Sequence, residues 1–366
     1  MGPRPANCSF LARQISAWFL LAAILSAVLP NTIVAAALIP IAVAMLRYVG
    51  LEDIWGNKFA SALLIAIAWG TSAGGMATPL GGAPNLLTVE FIESYTGHEF
   101  LYSTWLSRFL PMTVIAIGAM FLYMRFSLST GHINLDGGSD FVREELRKLG
   151  PMSGAERWCL LLLASPLVLS FTRVLYASAL PNFTPPFAFL GFGLLVFIVR
   201  YRGQPLLRWE EAQGKMMWGL IYLFAGGSAL GKLLDKSGTA AFLADHLVHY
   251  AGHSNLQAVL VFASITILLT QITSNTAAVA IVVPIAISTF QALDQNPIPC
   301  VYIVTAIANC GFALPSSAGG PAVAAGYGAN LQTMFSRGIG AALFILLLLT
   351  LGGYFLWSAW PAFGDA

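Results

Sequence analysis

The chain has 366 residues, of which 57% are hydrophobic and 9% charged, with a formal net charge of +2. Ordinary soluble domains carry about 25% charged residues, so a soluble enzyme is excluded. An all-α polytopic membrane protein of the plasma (cytoplasmic) membrane is expected, with the lipid bilayer as its first partner. No basic stripe with interleaved aromatics marks a nucleic-acid partner.

The chain opens with Arg4 and Arg13 ahead of WFLLAAILSA. That layout matches a secretory signal, but the repeat described below runs through the segment and argues against cleavage. Residues 10–29 and 33–49 read as two short arms of a re-entrant hairpin with Pro-Asn-Thr at its tip. A helix starts at 59, breaks near 81–84 and resumes to 94, and residues 104–125 span the bilayer. Residues 127–156, with REELRK at 143–148, form a cytoplasmic link. Spans follow at 157–176, 185–200 and 216–235, then an amphipathic piece at 238–252. A second hairpin occupies 256–293 with Ser-Asn-Thr at its tip. A second broken helix covers 299–335, and a last span covers 338–360. Residues 1–126 thus form a partial first repeat and 157–366 a second.

The repeat is written in the residues. LSAVLPNTIVAAALIPIA (25–42) aligns with LTQITSNTAAVAIVVPIA (269–286) at a constant offset, 275 − 31 = 244. Asn31 faces Asn275, Thr32 faces Thr276 and Pro40 faces Pro284. Each copy is followed by a Gly- and Pro-rich interruption, GGMATPLGGAPN (74–85) and GFALPSSAGGPA (311–322). Such residues break a helix, and broken helices at membrane depth persist where they line a cavity. Paired interruptions in two halves point to a transporter's binding site. Around the second tip, Thr270, Gln271, Thr273, Ser274, Asn275 and Thr276 crowd into a stretch free of charge. One or two such residues are explained as glue between helices. A cluster this dense favours a ligand, because unpaired polar groups in hydrocarbon are costly.

With the 127–156 and 200–215 links inside, fourteen Lys and Arg residues fall on the cytoplasmic side and four outside, as the positive-inside rule requires. The two hairpins then enter from opposite faces, which makes the repeats inverted. The helices that precede the second hairpin have no counterparts before the first. By its own symmetry the chain is expected to lack about 90 N-terminal residues.

These tips and breaks, together with FAGGSALGKLLDKSG at 224–238, resemble the divalent anion:sodium symporter family of the ion transporter superfamily. The resemblance runs from about residue 15 to 360. It implies an inverted-repeat transporter, a likeness that extends to a homodimer, and sodium as coupling ion with no cofactor. The first sodium site would use Ser26, Pro30, Asn31 and Gly81, and the second Thr270, Thr273, Asn275 and Ala318. A small dicarboxylate or other divalent anion would meet Asn31, Thr32, Ser274, Asn275 and Thr276, with Gly82 and Gly319 beside it. The family's first tip has Ser where this chain has Pro30. Its dicarboxylate members carry Thr at the positions of Gly82 and Gly319, and its second break has Asn where Ala322 stands here. Three readings share the fold: a sodium-coupled symporter, an anion antiporter or exporter, and a truncated, non-transporting relative or subunit.

Other groups are weaker candidates. His246, His249 and His253 share a helical face beside Asp245. This is a conceivable metal site, but an interfacial amphipathic segment explains it better. Glu90, Glu93 and Glu99 read as a solvated outside loop, and Asp235 as paired with Lys232 or Lys236. The four cysteines (Cys8, Cys159, Cys300 and Cys310) fit no metal or redox spacing. No pair of carboxylates lies in a membrane segment, so catalysis is not expected.

Overall fold

A computed structural model describes residues 8–128, 138–216 and 254–365, with scattered positions between 217 and 253. The span expected at 216–235, the amphipathic piece at 238–252 and the histidines 246, 249 and 253 lie outside these described residues or only partly within them.

The first hairpin is α1 (Cys8–Ser26) and α2 (Asn31–Tyr48). Then come α3 (Lys58–Gly75), a short 3-10 turn (Pro79–Gly81), α4 (Ala83–Thr96) and α5 (Tyr102–Ser127). An exposed helix, α6 (Gly138–Leu149), occupies the polar link, with Lys148 bridging Glu144 and Glu145. Next are α7 (Gly154–Phe171), α8 (Pro185–Ile198), a two-residue β ribbon at Arg200–Tyr201 and Gln204–Pro205, and α9 (Trp209–Gln213). The second hairpin is α10 (Asn255–Ile272) and α11 (Asn275–Ala292). It is followed by α12 (Ile298–Ala308), α13 (Gly319–Gly326) and α14 (Leu331–Ala359). Six of the described helices are long and apolar enough to cross a membrane.

Two helices form the centre. Every residue of α3 from Phe59 to Gly75 is buried, and so is every residue of α12. A helix apolar on all sides needs such cover. Both lead directly into a break. Helix α1 lies tight on α3 at Gly70 and Gly74, where a β-carbon would strike the carbonyls of Phe19 and Ala23. Small residues four apart permit this approach of backbones.

The halves interlock. Helix α2 packs on α13 of the other half, and α11 packs on α4. Thr88 of α4 meets Thr305 of α12 across 2.8 Å between hydroxyls. The hairpins and broken helices therefore form one body around the two interruptions.

Three expectations need correction. The first break spans 76–82, not 81–84. Thr78 caps the 3-10 turn, its hydroxyl accepting from Leu80 N–H at 3.3 Å. Pro84 sits in the first turn of α4, where a missing N–H costs nothing, so it starts a helix instead of ending one. The last helix begins at Leu331, not 338, because the Asn330 side chain caps it by accepting from Thr333 N–H at 2.8 Å. Glu93 and Glu99 are not simply solvated. Glu93 accepts from Phe100 N–H at 2.9 Å. Glu99 takes both Nε and Nη2 of Arg173, at 2.8 and 2.9 Å. Arg173 is 2% exposed and also donates to the Leu180 and Pro181 carbonyls. This pair of a buried arginine and a partly exposed glutamate ties the segment after α7 to the turn between α4 and α5.

A leucine at Gly74 is expected to separate α1 from α3 and cost about 3 kcal/mol or more. The same change at Gly118, where a β-carbon meets nothing, should stay within about 0.5 kcal/mol. Thermal unfolding of both variants in detergent checks this.

Candidate functional site

Both hairpin tips are held against a break by hydrogen bonds. In the second half the tie is Gln271. Its Nε2 donates to the Cys310 carbonyl at 2.9 Å, and its Oε1 accepts from Phe312 N–H and Ala313 N–H at 2.9 and 3.0 Å. The equivalent position in the first half is Ala27 (271 − 27 = 244). There the break supplies the side chain: Thr78 donates to the Ala27 carbonyl at 2.6 Å. Two tryptophans close the remaining gaps. Trp69 Nε1 donates to Phe312 O and Trp105 Nε1 to Met76 O, both at 3.1 Å. These bonds pair several of the backbone groups that the breaks free, as a low-dielectric interior demands.

Some oxygens stay available. Ser26 is fully buried and its hydroxyl has no partner. A β-carbon on Gly75 would sit 3.3 Å from Ser26 Oγ and 3.1 Å from Gly81 O. A β-carbon on Gly81 would sit 2.6 Å from Ser26 O. Ser26 and the carbonyls around Gly75 and Gly81 thus form an oxygen-lined cradle that only glycine leaves open. Of the first sodium set, Ser26 and Gly81 come together here. Pro30 is the residue preceding α2, and the Asn31 Oδ1 accepts from Thr32 N–H at 2.9 Å.

The corresponding place in the other half is Thr270 (270 − 26 = 244). Thr270 Oγ1 lies 2.6 Å from Asn275 Oδ1 and 2.7 Å from Ala308 O. One hydroxyl proton cannot serve both acceptors. Three buried oxygens thus share a single proton, an oxygen-rich cluster with one acceptor left over. Asn275 Nδ2 donates to Asn309 O at 3.3 Å, which fixes the amide so that its oxygen faces Thr270. The Thr273 hydroxyl turns back to Leu269 O at 2.8 Å, away from the cluster. Ala318 precedes α13, and its neighbour Ser317 accepts from Asn275 N–H through its carbonyl at 3.1 Å.

The residues expected at the anion sit at the tips and breaks beside these clusters. Thr32 presses on Gly319, where any β-carbon would overlap its side chain. Ser274 caps α11, its hydroxyl accepting from Ala277 N–H at 3.1 Å. Thr276 is 5% exposed, and Gly82 is buried. Four helices begin here: α2, α4, α11 and α13. Their N-termini carry partial positive charge.

A central pair escaped the sequence reading. Asn85 and Asn309 are fully buried, and Asn309 Nδ2 donates to Asn85 Oδ1 at 2.8 Å. Asn85 Nδ2 in turn donates to Gly75 O and Thr78 O, both at 2.8 Å. This chain runs from the second break into the first. Its available signal was an isolated Asn in the apolar run VTAIANC.

Comparisons with known proteins agree with this architecture. The citrate transporter family matches residues 11–308 and, in an overlapping second stretch, 184–364. The chain belongs to this family. The kinship read from the tips and breaks, with the divalent anion:sodium symporters of the ion transporter superfamily, is shown by that match. Sodium-dependent dicarboxylate transporters are similar: that of Staphylococcus saprophyticus is 28% identical over 82% of this chain and 59% of its own length. That of Staphylococcus aureus strain MRSA252 is 27% identical over 91% of this chain and 66% of its own length. The chain therefore spans less than two thirds of these curated relatives. A crystal structure of the YdaH transporter of Alcanivorax borkumensis, described as having an unusual topology, matches in fold. Its TM-score is 0.51 and its identity 15%, covering 96% of this chain and 85% of that one. The citrate transporter family member described here is an integral, multi-pass plasma-membrane protein of a transporter family, not an enzyme.

Gln271→Leu preserves bulk but strands two N–H groups and a carbonyl. It is expected to cost about 2–5 kcal/mol, read as a lowered midpoint of thermal unfolding in detergent.

Proposed function

We propose that this family member is a secondary active transporter that couples sodium to the symport of a small dicarboxylate or other divalent anion. One observation carries the reading: four helices begin at the tips and breaks beside two buried oxygen clusters, and among the described residues no cationic side chain joins them. Among the described residues, the buried charged groups are Arg108 and Arg173. Arg108 stacks over Trp360 at 4.5 Å, and Arg173 holds Glu99. Neither contacts a tip or a break. Helix N-termini alone supply fractional charge, too little for two carboxylates removed from water. Cations bound at Ser26 with Gly81, and at Thr270 with Asn275, would supply the rest. Their binding first, and the anion's second, is the physical basis of coupling.

The proposal assigns the anion to Asn31, Thr32, Ser274, Asn275 and Thr276, with Gly82 and Gly319 beside it. It keeps Pro30, Thr273 and Ala318 as carbonyl donors to sodium, since the Thr273 side chain faces its own helix. The relatives named as sodium-dependent dicarboxylate transporters support it, as does the family match. The reading extends to a homodimer, for which the α7–α8 pair offers an uncovered face: of α8 only Pro185 and Ala188 are buried.

Uptake of labelled succinate into proteoliposomes, with an inward gradient of sodium or of choline, tests the reading. Sodium-driven accumulation is expected, abolished by Asn275→Ala. Ser26→Ala removes one neutral oxygen ligand and should raise the half-saturating sodium concentration roughly tenfold. Accumulation that is equal in choline, or untouched by either change, contradicts it.

A further inference from the structure

A polar cavity of about 440 Å³ lies where α3 and α14 begin and α5 ends, and no tip or break residue lines it. Capping bonds fix its walls. Asn57 Oδ1 accepts from Phe59 N–H and Ala60 N–H at 2.9 and 3.0 Å. Asn330 N–H donates to Ser61 Oγ at 2.8 Å, which joins the two helix starts. Tyr123 of α5 donates through its hydroxyl to the Arg337 carbonyl at 2.8 Å and holds the third side. One turn further along α5, Ser127 Oγ is buried without a hydrogen-bond partner and lines the cavity.

The charges there are unbalanced. Lys58 and Arg337 line the cavity, and no carboxylate does. Among the described residues neither forms an ion pair. Asp53, on the loop before α3, is occupied with the Gly56 N–H at 3.1 Å. The two helix starts add partial positive charge. Two cations, a free hydroxyl and two helix N-termini suit a phosphate group.

The surroundings of the cavity select the source of that phosphate. Helices α5 and α14 are both long and apolar enough to cross a membrane, so their ends lie at headgroup level. A row of exposed apolar side chains leads away from the cavity along α14 in four-residue steps: Leu331, Phe335, Ile339, Leu343 and Leu347. Phe126, next to Ser127, is 82% exposed, and Trp55 of the cavity wall is exposed too. Tryptophan is enriched at the membrane interface. A free phosphate would use the charges and leave the apolar row idle, whereas a phospholipid uses both.

We infer that this cavity seats the headgroup of an anionic phospholipid, with Lys58 and Arg337 on its phosphate and an acyl chain along the α14 row. The site is separate from the one proposed for transport.

Phosphatidylglycerol and phosphatidylcholine, counted on the purified full chain by native mass spectrometry across lipid concentrations, provide the test. One phosphatidylglycerol is expected to bind about tenfold or more tighter than phosphatidylcholine. Lys58→Gln and Arg337→Gln should each weaken it about fivefold, and together should abolish the preference. Both side chains are exposed, so the variants should unfold at the same temperature as the parent chain in the absence of added lipid. Arg143→Gln with Arg147→Gln removes the same charge from the exposed α6 and should leave the preference intact. Equal retention of the two lipids, an equal loss in the α6 variant, or displacement of phosphatidylglycerol by inorganic phosphate or succinate overturns the inference.

Discussion

Two stretches of non-helical backbone inside an apolar body set the conditions for everything else. In hydrocarbon, each freed N–H and C=O must find a partner within the protein. The chain meets that demand with a small set of polar side chains: Gln271, Thr78, Asn85, Asn309, Trp69 and Trp105. Each ties a break to another element, from one side or the other. The hairpins cannot shift from the breaks without stranding those groups. The site is consequently built from backbone held by side chains, and its rigidity comes from the same bonds that make it foldable.

The pairing is incomplete in a patterned way. The Ser26 hydroxyl and Asn309 Oδ1 have no partner, and Thr270 Oγ1 faces two acceptors with one proton. An oxygen-rich, uncharged interior suits sodium, and helix N-termini suit an anion once cations are present. The two requirements oppose each other in the empty protein and support each other in the loaded one. Glycine at 75, 81, 82 and 319 lets these oxygens approach the backbone closely, since each β-carbon there would meet one of them.

Much of this was legible in the sequence. The constant offset of 244 between tips located both hairpins, and the polar run at 270–276 marked the second cluster. Ser26 and Thr270 occupy matching places and both line oxygen clusters. Legibility failed where contacts cross the halves without repeating. Asn85 and Asn309 lie 224 residues apart. They break the repeat's arithmetic, since the interruptions align at 311 − 74 = 237 instead of 244. Pro84 misled because proline opens a helix as readily as it ends one. Glu99 looked solvated because its partner Arg173 is 74 residues away. The Thr273 hydroxyl looked like a ligand, but its own helix offers a nearer acceptor at Leu269 O.

The central claim is that cations create the anion site. Equilibrium binding of labelled succinate to the purified chain, measured across sodium concentrations at constant ionic strength with choline as replacement, tests it most directly. Binding that vanishes as sodium is withdrawn, and whose affinity rises steeply with it, is the expected result. Binding of equal strength in choline alone would mean that the protein holds the anion without cations, and would contradict the account.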